Sequence, residues 1–243
     1  MVWCMPWFEG AGSIFIRGRS GLLKAAIRDP DPVVFLENEL LYGQSFPVSE
    51  EALDSSFSLP IGKAKIEREG KDVTIVTYAR MVDYSLQPEQ ITGYALLKEL
   101  WHYSLVLSSP QRLPQVFWIQ AAEILAKEGI SAEVINLRSI RPLDRSAINA
   151  SVRKTSRLVT VEEGSLNMVL ALRSGYLLFH QIYGMGEGES FDSLDAPVER
   201  IAGADIPMPY AANLERMALP QIDDIIRAAK RTCYRSAPKA AAA

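Results

Sequence analysis

The sequence predicts an α/β fold built on a mostly parallel sheet. Three observations lead there. Continuous apolar runs such as VTIVTY and RLVTV fit strands buried on both faces. Helix-period segments such as AAEILAKEGI and LPQIDDIIRAAKR alternate with those runs, and strand–helix–strand alternation calls for parallel strands joined by right-handed crossovers. Finally, 243 residues, 48% hydrophobic and 23% charged, are enough to bury a sizeable core.

The elements follow in order. Residues 1–19 are rich in Trp, Gly and aromatics and show no clear period. GLLKAAIR sets Leu22, Leu23, Ala26 and Ile27 on one buried face of a short helix. DPDP stops it, because proline cannot continue a helix and restricts the residue before it. Val33 to Leu36 is an apolar run that fits a strand covered on both faces. Residues 44–60, QSFPVSEEALDSSFSLP, have the Ser, Pro and acid content of an exposed linker and mark a domain boundary. IGKAKIEREGKDVTIVTYA reads as a hairpin-like approach to a strong strand at Val73–Tyr78. AAEILAKEGI is an amphipathic helix closed by Gly129 at the C′ position. AEVINLRSI is a second strand, Asp144 caps the helix RSAINASVRKT, and RLVTVEE and PVERIAGAD are the next two strands. The closing helix LPQIDDIIRAAKR puts Ile222, Ile225, Ile226 and Ala229 on one face. Residues 237–243 read as a disordered tail.

Composition excludes several classes. A net charge of -3 offers nothing to nucleic acid or to an anionic membrane surface. Two cysteines, Cys4 and Cys233, and two histidines, His102 and His180, argue against a zinc site and a disulfide scaffold. No run is long enough for a transmembrane helix. MVWCMPWFEGAG has neither the basic start of a signal peptide nor the acid-poor, serine-rich character of a transit peptide. Two segments break the α/β order besides the opening one. Residues 83–120 separate a strand from the helix that should follow it within a few residues. Residues 165–188 follow a well-formed strand without a turn signal.

LENELLYG, RSIRPLD, RLVTVEEG, LDAPVERIAGADIPMPYAANLE and LPQIDDIIRAAKR together resemble one family, the beta subunit of the thiamine-dependent, decarboxylating component of the pyruvate dehydrogenase complex, mitochondrial type. The resemblance covers residues 20–82, 93–96, 120–164 and 189–236. Branched-chain 2-oxoacid dehydrogenase beta subunits differ at Asn38-Glu39 and at PMPYA. The resemblance also accounts for the irregular segments. The family continues FPQHGVGAEI after VEEG. Codons chosen for that string and read one base later give SLNMVLALRS, residues 165–174. The same shift relates residues 1–18 to the family's sequence, and 83–120 splits the family's ARMVGYALQAAEIL around a surviving GYAL. The expectation is a truncated, partly frame-shifted copy; a diverged set of loops is the alternative.

The resemblance implies the C-terminal part of a transketolase-like pyrimidine-binding domain at residues 1–43. A three-layer transketolase C-terminal-like domain follows at 61–236, with 83–120 as an insert and 165–188 as an aberrant segment. The implied activity is oxidative decarboxylation of pyruvate, with the acetyl group passed to lipoamide. The implied cofactor is thiamine diphosphate with magnesium. The family glutamate that contacts the aminopyrimidine lies upstream of LENELLYG, and the alpha subunit holds diphosphate and magnesium, so no catalytic or cofactor-binding residue is assigned here. Implied partners are an alpha subunit, a second beta subunit and the dihydrolipoyl acetyltransferase core, in the mitochondrial matrix. This chain alone is expected to be inactive, and the alternative is a catalytically silent module that competes for those partners. Acidic Asp223 and Asp224 could face the acyltransferase's basic residues, or simply solvate their helix.

One implied metal site falls on residues present here. Family members hold potassium after the first helix through positions matching Ala26, Ile27, Asp29 and Asp31. The last carbonyls of a helix lack internal partners and form its negative end; a plain helix stop is the alternative. Glu37 and Glu39 stand at the carboxyl end of a strand, where α/β sites gather, or form a solvated pair. His102 and His180 have no sequence partner for acid–base or nucleophilic work. Cys233 reads as an ordinary thiol near the last helix.

Overall fold

The computed structural model describes residues 2–4, 15–36, 50–79, 81–85, 121–165 and 191–235. Glu37, Glu39, His102, His180, most of the insert, most of 165–188 and the 237–243 tail lie outside these residues. In chain order the elements are β1 (Val2–Cys4), α1 (Phe15–Arg28), β2 (Val33–Phe35), α2 (Glu50–Leu53), β3 (Lys65–Arg68), β4 (Val73–Thr77) and α3 (Met81–Ser85). Then come α4 (Ala121–Lys127), β5 (Ala132–Asn136), β6 (Ser139–Arg141), α5 (Arg145–Thr155), β7 (Leu158–Ser165), a 3-10 turn at Phe191–Ser193, β8 (Glu199–Gly203), α6 (Ala212–Ala218) and α7 (Ile222–Arg235).

The main sheet has the order β3-β5-β4-β7-β8. Strands β5, β4, β7 and β8 run parallel, and β3 pairs antiparallel to β5 at one edge. All five residues of β4 and of β5 are buried, as strands covered on both faces must be. On one face Val73, Ile75, Val134, Val159 and Val161 meet Met81, Leu125, Ile225 and Ala229 of α3, α4 and α7. On the other, Val76, Ile135, Leu137 and Leu158 meet Ile148 and Val152 of α5. The crossover from β4 to β5 thus lies on one face and that from β5 to β7 on the other, giving the three layers. The sheet and its two helical layers make the three-layer α/β architecture that the sequence predicts.

Local signals do what the sequence predicts at both ends of the central helices. Ile130 N–H reaches Leu125 O at 2.8 Å, and Gly129 N–H reaches Ala126 O at 3.0 Å. With Gly129 at φ 84°, these bonds make a Schellman cap. Asp144 accepts from Ala147 N at 3.3 Å as the N-cap of α5. The same carboxylate accepts from Ala64 N at 3.1 Å, which ties the approach to β3 onto the helix start. Ile225 and Ile226 of α7 are buried with Ala229, and Ile222 is half-buried against the same core.

Four expectations need correction. The KAKIEREG segment is no hairpin partner of the strand that follows: β3 pairs with β5, and β5 lies between β3 and β4. The antiparallel pairing follows from where the fold needs an edge strand, which short-range sequence does not encode. The first helix begins at Phe15, six residues before GLLKAAIR. Its buried stripe is narrower than the four predicted positions. Leu22 is buried, but Leu23 is exposed and Ile27 is 76% exposed, because α1 packs mainly along the side facing α2 and Leu59, whose N–H bonds Gly21 O at 3.1 Å. Strand β2 is only half-buried along its length, and it pairs parallel with β1, which in turn pairs antiparallel with β6 in a separate three-stranded sheet. Within 44–60, residues 50–53 form a helical turn with Ala52 buried.

Candidate functional site

Open α/β sheets gather their sites outside the carboxyl ends of the parallel strands. Two buried polar groups stand there. Glu162, near the end of β7, is buried, and Arg200 of β8 donates to its Oε1 through Nε at 2.6 Å. Tyr78, just past β4, donates to Oε2 at 3.3 Å. Burial pushes the Glu162 carboxyl up, against the pull of Arg200 and Tyr78. Glu67 of β3 is paired with Lys65 at 2.8 Å and accepts from Asn136 Nδ2 at 3.1 Å, and burial raises it too. Asn136 Oδ1 accepts from Arg138 N at 3.2 Å, which steadies a non-glycine residue at φ 53°. Burial lowers the Arg138 guanidinium to about 10. These groups bind strand ends to one another. Among the described residues, none of these groups sets a nucleophile beside a base.

A third network lies under α5. Glu133 of β5 is fully buried and bonded to Lys154 and Ser151. It also accepts from Gly70 N at 3.2 Å. Thr74 Oγ1 joins Ser151 and Thr155 hydroxyls at 2.6 Å each. Burial alone would raise the Glu133 carboxyl, but the bonds from Lys154, Ser151 and the Gly70 amide hold it below the ordinary 4.5. Sequence reading missed all three carboxylates. The available signal was a charge standing inside an apolar strand, as in AEVIN and VTVEE.

The four positions tied to potassium are brought into one turn. Ala26 and Ile27 lie in the last turn of α1, and Asp29 Oδ1 accepts from Asp31 N at 2.9 Å just beyond it. Lys24 and Arg28 donate to the carbonyls of Asp54 and Ser55 at 2.5 and 3.1 Å. The acidic start of α7 is less open than its sequence implies. Asp224 caps its own helix through Gln221 N at 2.9 Å and pairs with Arg227, while Asp223 is exposed. Cys233 lies inside α7, half-buried against the core, and burial raises its thiol, so it is a poor nucleophile. Among the described residues no three His, Cys, Asp or Glu side chains gather to hold a metal ion, and no helix is long and apolar enough to cross a membrane.

Residues 116–225 match the transketolase C-terminal domain. The chain is 64% identical over 216 residues to the mitochondrial pyruvate dehydrogenase E1 component subunit beta-1 of Arabidopsis thaliana, covering 89% of this chain and 48% of that protein. It is 61% identical over 230 residues to the subunit beta-2 of Oryza sativa subsp. japonica, again 48% of that protein. Over about nine-tenths of its length the chain is similar to mitochondrial pyruvate dehydrogenase E1 beta subunits. It spans about half the length of these pyruvate dehydrogenase relatives. A solved split-gene transketolase, described as an inactive beta4 tetramer, superposes with a TM-score of 0.58 at 21% identity, over 98% of this chain and 58% of that one. At that identity the likeness speaks for the fold alone, and it agrees with the layers seen here.

Proposed function

We propose that these residues serve as the transketolase C-terminal half of a pyruvate dehydrogenase beta subunit in the mitochondrial matrix. The observation that carries the reading is 61–64% identity to mitochondrial beta subunits across about nine-tenths of the chain. In this reading an alpha subunit and the beta subunits decarboxylate pyruvate and pass the acetyl group to the lipoamide of a dihydrolipoyl acetyltransferase core. Thiamine diphosphate, held with magnesium, supplies the electron sink for that chemistry. No described residue here is arranged to hold the diphosphate or the metal, and the contribution of this half is architectural and assembly-directed. Its polar networks lock the strand ends, and the exposed Asp223 presents negative charge to a basic partner.

The expected result is binding without turnover. A polypeptide of these 243 residues, mixed with alpha subunit, should co-purify with it and inhibit a full-length alpha–beta enzyme by competition. It should release no carbon dioxide from pyruvate above the alpha-only control. Failure to bind either the alpha subunit or the acyltransferase core would sink the reading. Turnover above the control would move a catalytic role into this half.

The α1 terminus fits a hard monovalent cation, since its donors are helix-end carbonyls at the negative end of the helix dipole and carboxylates beside them. Ala26, Ile27, Asp29 and Asp31 would hold potassium there and stiffen the turn into β2. Potassium should then raise the melting temperature above its value in equal sodium, and Asp29→Ala should abolish the difference. Equal melting in both salts would remove the site.

A further inference from the structure

Strand β1 is the middle of the three-stranded sheet and uses both of its edges. Val2, Trp3 and Cys4 pair parallel with Val33, Val34 and Phe35, while Trp3 and Cys4 pair antiparallel with Arg141 and Ser139. Among the described residues β2 and β6 pair with no other strand. Neighbouring strands lie about 4.8 Å apart, so these two walls stand roughly 10 Å apart, the width that one extended chain fills. Neither wall hangs on β1. Ile140 of β6 is buried in the core under α5. Strand β2 packs on α1, and α1 is tied through Gly21 O to Leu59 N at 3.1 Å, so closely that a Cβ on Gly21 would sit 2.7 Å from Leu59 Cγ. A few residues later, a Cβ on Gly62 would sit 2.7 Å from Pro142 Cγ, and Ala64 N donates to Asp144 Oδ2 at 3.1 Å. The stretch 59–64 therefore holds α1 and β2 on one side and the end of β6 on the other, and it sets the gap between them without help from β1.

We infer that the gap between β2 and β6 is a strand-acceptor groove, plugged in cis by Val2–Cys4, which takes an extended peptide of another protein when the plug leaves. Two features make the plug exchangeable. It is three residues long, so few ladder bonds hold it. Its pairing with β6 shifts register between Trp3 and Cys4, so it fits one wall better than the other. Whenever the plug is out, the backbone groups on the facing edges of β2 and β6 need partners, and an extended chain is the ligand that supplies them on both sides. In such strand addition the main chain gives affinity and the side chains that the groove accepts give specificity. The β2 wall is apolar and half-buried at Val33, Val34 and Phe35. The peptide that fits is therefore β-branched or aromatic along its length and free of proline. This inference goes beyond the assembly reading above and does not rest on it.

Fluorescence anisotropy of a labelled synthetic peptide with the sequence of residues 1–8, in reducing buffer, tests it on the full 243-residue chain. The wild type should bind the peptide weakly, because the tethered plug competes at high effective concentration. Trp3→Pro in the chain removes a ladder donor from a strand paired on both edges and loosens the plug. It should tighten peptide binding by at least about tenfold. The peptide that itself carries Trp3→Pro should not bind. The five-stranded sheet contains none of these residues, so far-UV circular dichroism should keep its wild-type shape. No binding to a folded Trp3→Pro chain overturns the inference. Equal binding to both chains also overturns it, since the peptide would then sit elsewhere, and so does equal binding of the proline peptide, since no ladder would then form. Hydrogen exchange on the wild type decides the matter if the Trp3→Pro chain does not fold. Amides of 33–35 and 139–141 should exchange ahead of those of 73–77 and 132–136, because the plug opens without the core, and excess peptide should slow them by about twofold or more. Exchange at the rate of the core strands, or exchange that the peptide leaves unchanged, overturns the inference.

Discussion

Glu133→Ala should cost about 1–3 kcal/mol of stability near neutral pH, the range for leaving buried polar groups without their hydrogen-bond partner, because the Lys154 end of the ion pair is partly exposed and screened. Glu133 is fully buried near the start of β5, and Lys154, Ser151 and the Gly70 amide all converge on it. Truncation leaves the half-buried Gly70 amide and the buried Ser151 hydroxyl without that acceptor, and it strips Lys154 of its inner partner; Glu69 at 3.0 Å remains as the outer one. Glu133→Gln should cost less, because the amide oxygen still accepts and only the charge is lost. The pH dependence has a definite sign. The folded carboxyl lies below its ordinary 4.5, so its contribution is complete above about 4.5 and is lost as pH falls through the lower, folded value. Glu133→Gln should therefore flatten the acid side of the stability profile while the alkaline side keeps its shape. Urea denaturation read by circular dichroism measures both effects. A loss below about 1 kcal/mol for the alanine variant would mean that the network adds nothing beyond its own desolvation.

The same residue marks the limit of what the chain's local pattern discloses. Period and capping are short-range, and they were legible. Gly129 closes α4 and Asp144 opens α5 with the predicted bonds, and the α7 stripe is buried at Ile225, Ile226 and Ala229. Partnership across the sheet is long-range and was not. Glu133 finds Lys154 21 residues later and Gly70 63 residues earlier, through an intervening crossover. The edge position of β3 is of the same kind, since KIER carries no mark that says which neighbour it takes. Exposure of Ile27 was also hidden, because an apolar residue is written identically whether it faces the core or solvent. The family strings GADIPMPYAANLE and RSIRPLD supplied the architecture and the relatives, whereas the polar networks had to be seen in place.

Gly70→Ala should be nearly as damaging as removing Glu133, at the upper end of the roughly 1–3 kcal/mol usual for overpacking. The reason lies in the strand order. Strands β3 and β4 are consecutive in sequence but flank β5, so their connection must cross the start of β5. Lys71 N and Asp72 N both bond Ser131 O there, at 3.1 and 2.9 Å. Gly70 lies directly over the β5 backbone. A Cβ at that position would sit 2.2 Å from Glu133 N, 2.3 Å from the Ala132 carbonyl carbon and 2.7 Å from Ala132 O. All three are main-chain atoms in a strand held on both edges, so they cannot give way as a flexible side chain would. The glycine is needed for close approach, not for an unusual φ. Its amide also donates to Glu133 Oε2, so the two substitutions disturb one network. The double variant should then lose less than the two single losses added together, with a coupling of about 0.5 kcal/mol or more. Chemical denaturation of all four proteins in the cycle decides it. Strict additivity, together with a Gly70→Ala loss below about 1 kcal/mol, would mean that the crossing loop has room to lift off β5 and that Glu133 is anchored from α5 alone.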